Sequence, residues 1–143
     1  MFGIVDWVPC SLAYDLSNRR ARAGSRETPS TREISKFTTA SVRDLRVYAD
    51  ALNGSVSHYL DRNGLECDAV VHLRNGASGL VEVKLGGESL IDEGAATLNV
   101  LSGLVDTSRQ KEVAFKMVVT ATGDSAYQRP DGIIVCPIGC LKP

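Results

Sequence analysis

Three residues of this chain have the types and the spacing to act on a phosphodiester: Asp68, Glu82 and Lys84. They lie in Leu65-Glu-Cys-Asp-Ala-Val-Val-His-Leu-Arg-Asn-Gly-Ala-Ser-Gly-Leu-Val-Glu-Val-Lys84, which reads as two strands around a tight turn. Paired carboxylates are hard oxygen donors that suit Mg²⁺ or Mn²⁺, ions that activate water and offset charge on a phosphate oxygen. Strand side chains alternate, so Glu82 and Lys84 share a face and the lysine can serve the attacking water. The bland alternative is a solvated strand face on which Glu66 and Lys84 form a cross-strand ion pair.

Whether Asp68 meets Glu82 depends on the loop. An Asn75-Gly76 pair suggests a two-residue turn, but that register sets a polar face against an apolar one. A three-residue loop, Arg74-Asn75-Gly76, pairs Leu73 with Ala77 and puts glycine at the left-handed position. Asp68 then stands opposite Glu82 and Glu66 opposite Lys84. Cys67, Ala69, Val71 and Leu73 would share one core face with Val81, Val83 and Leu85.

The surrounding elements follow from periodicity. Val42, Leu45, Ala49 and Leu52 predict a helix over 38–53, with Arg43, Arg46 and Asp50 outward. Strands follow at 56–61 and in the hairpin. Ser89, with Asp92 in a capping-box position, starts a second helix to about Val105, with Ile91, Ala95, Leu98 and Leu101 buried. Residues 113–121 read as a central strand and 127–136 as a hairpin about Pro130-Asp131-Gly132. The class is α/β, an α+β mixed sheet, with a crossover joining the Glu82 strand to the central one.

At 143 residues the chain suits one domain at 37–143. Residues 1–36 form a basic segment without apolar period, expected to be poorly ordered. A net charge of −1 excludes a strongly basic nucleic-acid binder. No run approaches the roughly 20 apolar residues of a membrane span. No secretory leader is evident, and Cys10, Cys67, Cys136 and Cys140 read as reduced thiols of a cytoplasmic protein.

The order helix, three strands, helix, strand, with Asp68 and Glu82-Val83-Lys84, resembles the PD-(D/E)XK nuclease superfamily. Val42-Arg-Asp-Leu-Arg-Val-Tyr48, Gly64-Leu-Glu-Cys-Asp-Ala-Val-Val71 and Val81-Glu-Val-Lys-Leu-Gly86 are similar to a domain of unknown function that ends many bacterial and archaeal AAA-type ATPases. The resemblance covers about Phe37 to Pro143. It implies a restriction-endonuclease-like αβββαβ core and Mg²⁺- or Mn²⁺-dependent cleavage of DNA. Asp68 and Glu82 would be the metal ligands and Lys84 would assist the water, with Glu66 and His58 as accessory candidates. Many such sites add a glutamate from the first helix, where the family usually shows Phe-Glu and this chain has Phe37-Thr38. There is no G-x-x-x-x-G-K-[S/T] loop, so the ATPase part has no counterpart in these residues. The other reading is a non-catalytic module that binds nucleic acid, an AAA-type ATPase or a second copy of itself.

Overall fold

The computed structural model of the protein describes residues 30–141. The expected basic segment thus lies outside the described residues except for 30–36, which form the cap and first turns of the first helix. That helix, α1, spans Thr31–Ala51 and begins well before the expected Thr38. Its start is fixed by a capping box. The Ser30 side chain accepts the Glu33 N–H at 3.4 Å, and Glu33 accepts the Ser30 N–H at 2.8 Å. The signature Ser30-x-x-Glu33 is plain in the sequence. It was masked by a stretch of arginine and threonine with no apolar period. Leu45 and Ala49 face the sheet as expected, whereas Leu52 is exposed as the last, capping residue.

β1 (Ser55–Leu60), β2 (Glu66–His72) and β3 (Ser78–Lys84) form an antiparallel meander. α2 (Glu88–Leu104) then crosses over to β4 (Val113–Thr120), which lies parallel to β3. β5 (Tyr127–Gln128) and β6 (Ile134–Pro137) close the chain as a hairpin, with β6 parallel to β4. The six strands form one mixed sheet in the order β1-β2-β3-β4-β6-β5. Within the described residues the fold is therefore mixed α+β, as the periodicity predicts.

The two helices cover opposite faces of this sheet. α1 packs Leu45 and Ala49 on Val81, Val83, Met117 and Val119. α2 packs Ile91, Ala95, Leu98 and Leu101 on Leu80, Val118, Ile133 and Val135. Leu98 is fully buried, worth about 1.5–3 kcal/mol in transfer from water. The hairpin thus has two buried faces, not the single core face expected. α2 begins at Gly87, whose φ of 89° and lack of a side chain replace the cap expected from Ser89.

Among the described residues no helix is long and apolar enough to cross a membrane. Cys67 and Cys136 are free and buried, and burial pushes both thiols up to about 11. Cys140 is disulfide-bonded, which departs from four reduced thiols.

Candidate active site

The turn between β2 and β3 has the three-residue form. Leu73 donates to the Ala77 carbonyl at 2.9 Å, Gly76 donates to Leu73 at 2.9 Å, and Gly76 takes a φ of 82°. The register follows from it, with Ala69 opposite Val81 and Val71 opposite Gly79. The backbone ladder ends at Ala69 and Val81, one step short of Asp68 and Glu82.

It ends because β2 is bulged. Ser57 of β1 pairs with Val70, but Tyr59 pairs with Cys67, so His58 stands against both Asp68 and Ala69. The extra residue breaks strict alternation. Cys67, expected beside Ala69 and Val71, belongs instead to the α2-side core with Leu80 and Val118. Asp68 no longer follows the ladder, and its Oδ2 accepts the Val83 N–H at 2.8 Å. A side chain has taken the place of a backbone carbonyl.

Past the bulge a cleft of about 470 Å³ opens. Asp68, Glu82 and Lys84 line it, together with Ile34 and Thr38 of α1 and Leu90, Glu93 and Thr97 of α2. The residues predicted from sequence therefore do converge. The unexpected early start of α1 is what brings Ile34 to the wall. Among the lining residues Glu66, Asp68, Glu82 and Glu93 carry carboxylates and Lys84 alone is cationic.

Electrostatics mark Glu82. It is 5 % exposed, and its carboxyl is pushed up to about 7. Burial is the main cause and the charge of Asp68 adds to it, against the pull of Lys84. Asp68 is also raised, by burial first, with the Val83 N–H pulling it back. Burial pulls the Lys84 ammonium down, but the bond to Glu93 and the charges of Glu82 and Glu93 outweigh it, so the net direction is up. Lys84 Nζ lies 3.0 Å from Glu93 Oε1 and 3.5 Å from Glu82 Oε2.

Two expectations change here. Glu66 does not pair with Lys84; its Oε1 lies 2.8 Å from His58 Nε2, because the separated strands leave Lys84 to Glu82 and α2. His58 and Glu66 are both largely exposed at the rim and do not reach the floor. Glu93 was missed in the sequence, where it reads as one more outward acid of a helix.

The donor set suits a hard divalent cation. Two partly desolvated carboxylates of like charge face one cleft, and Glu82 relieves the repulsion by holding a proton near neutrality, a place a cation can take. Asp68 and Glu82 would supply two oxygens, the rest coming from water and substrate. Among the described residues no group of three or more His, Cys, Asp or Glu stands together as a fuller site. Comparison with family models, curated proteins and solved structures found no match.

Proposed function

We propose that this domain is a Mg²⁺-dependent, DNA phosphodiester hydrolase-like module of the PD-(D/E)XK kind. The observation that carries the reading is that Asp68 and buried Glu82 line one cleft beside Lys84. Asp68 and Glu82 would hold the cation, with Mn²⁺ as a substitute. The cation activates water and offsets charge on the phosphate. Lys84 orients the attacking water and neutralises charge on the phosphate oxygens. Ile34 and Leu90 add exposed apolar surface to the walls of the cleft. Without a cation, the excess of carboxylates repels a phosphodiester.

A second reading has Thr38 behind it. Thr38 lines the cleft from α1, where the resembling family usually carries a glutamate. Its hydroxyl donates to the Ile34 carbonyl at 3.1 Å, so it is turned to its own helix. A module with this weakened donor set would bind nucleic acid or an AAA-type ATPase without cleaving.

The deciding experiment incubates pure protein with Mg²⁺ or Mn²⁺ and plasmid, linear duplex or single-stranded DNA. Cleavage by the wild type, lost in a folded Lys84→Ala variant, is the expected result. Intact DNA in every form, with no shift in melting at millimolar cation, overturns the enzymatic reading in favour of the binding module.

A further inference from the structure

Lys84 meets two consecutive residues of α2, Glu93 at its ammonium and Gly94 beside its methylenes. Its ammonium lies closer to Glu93 (3.0 Å) than to Glu82 (3.5 Å). Glu82 is buried while the Glu93 side chain is 64 % exposed, so the ammonium is shared between a buried carboxylate and a solvated one. The next residue accommodates the stem. A Cβ on Gly94 would meet Lys84 Cε at 3.3 Å and Cγ at 3.4 Å. The same Cβ would meet Val118 Cγ2 at 3.3 Å, so glycine at 94 lets the helix lie close against both the lysine methylenes and β4, with Glu93 within reach of the charge.

We propose that Glu93 is the positioning residue of Lys84, drawing its ammonium out of the buried pair with Glu82 and holding it at the cleft. If the ammonium settled on Glu82 alone, it would neutralise the carboxylate that a cation needs and turn away from a phosphate. Shared with Glu93, it leaves an oxygen of Glu82 accessible and keeps a positive charge facing the cleft. The use of this arrangement rests on the hydrolase-like reading; the arrangement itself does not.

The test is competitive acetylation of the lysines with acetic anhydride, read by mass spectrometry, in wild type, Glu93→Gln and Glu88→Gln. Lys116 is the internal reference, because its Nζ is bonded to Asn99 of the same helix at 2.7 Å. In Glu93→Gln the labelling of Lys84 is expected to fall roughly three- to tenfold, as the ammonium retreats to the buried pair with Glu82, with Lys116 unchanged. Glu88→Gln, an exposed acid at the start of the helix, is expected to change neither. Unchanged or increased labelling of Lys84 overturns the proposal. So does a parallel change at Lys116, which would mean that Glu93 holds the helix and not the lysine. The labelling needs neither cation nor DNA, so its failure is distinct from a failure of the hydrolase-like reading.

Discussion

The Asp68 carboxylate accepts the backbone N–H of Val83 at 2.8 Å, and so one aspartate both closes the gap left by a bulge and faces the acid of the neighbouring strand. The bond gives Asp68 a structural duty that can be separated from its chemistry. Asp68→Ala leaves the Val83 N–H without its acceptor and is expected to cost about 1–3 kcal/mol in urea unfolding. Asp68→Asn keeps an acceptor oxygen and is expected to stay within about 1 kcal/mol of wild type while losing cation binding. Equal stability of the two variants would show that the bond carries no weight.

Glu82 sets a pH dependence with an unusual sign. Its folded pKa of about 7 lies above the ordinary 4.5, so the folded protein holds a proton that the unfolded chain has released. This contribution is complete below about 4.5 and is lost as pH rises through about 7. The cation-free protein should lose on the order of 3 kcal/mol across that window, and the rise at Asp68 acts in the same direction. Glu82→Gln should remove most of the fall. Denaturant unfolding at pH 5 and pH 8 with chelator present measures it, and parallel profiles for the two proteins would refute it.

Position 38 offers a gain of function. Thr38 shares the cleft with Asp68 and Glu82, so Thr38→Glu should add a third carboxylate there. Mn²⁺ binding by calorimetry is expected to tighten about tenfold, the equivalent of roughly 1.4 kcal/mol. The cation-free variant should melt lower than wild type, because a third like charge is then confined with two others. Unaltered Mn²⁺ affinity would mean that the α1 wall is not part of the cation site.

Gly79 tests the packing of β3 against β4, where it pairs with Phe115. The Phe115 ring occupies the space its Cβ would take, with the nearest ring carbons 2.1–2.5 Å from that point. Gly79→Ala is expected to destabilise the fold by about 1–3 kcal/mol through overpacking. Gly79→Ala combined with Phe115→Leu should recover part of it, measured by thermal melting.

Much of the sheet could be read from the chain because its signals are local. The left-handed glycine after Arg74-Asn75 dictated the loop, and the loop dictated the register through Ala69 and Val81. The buried seam of α2 followed from spacing alone. What escaped depends on neighbours distant in sequence. The bulge arises where β1 and β2 disagree in length, so alternation misplaced Cys67. Glu93 looked like a solvated helix acid because its partner comes from the preceding strand. The first turns of α1 were overlooked because their residues are polar, although the Ser30–Glu33 cap was present in plain sight.

The charged lining of the cleft has a simple relation to chain connectivity. Asp68, Glu82, Lys84 and Glu93 all belong to one uninterrupted run, a hairpin and the first turns of the helix after it. Only short connections separate them, so assembling the set costs little loop-closure entropy. The set is also inherited as a block. A recombination point after α2 would carry all four side chains intact into another protein, whereas one at Asn75 would part Asp68 from the Glu82–Lys84 strand.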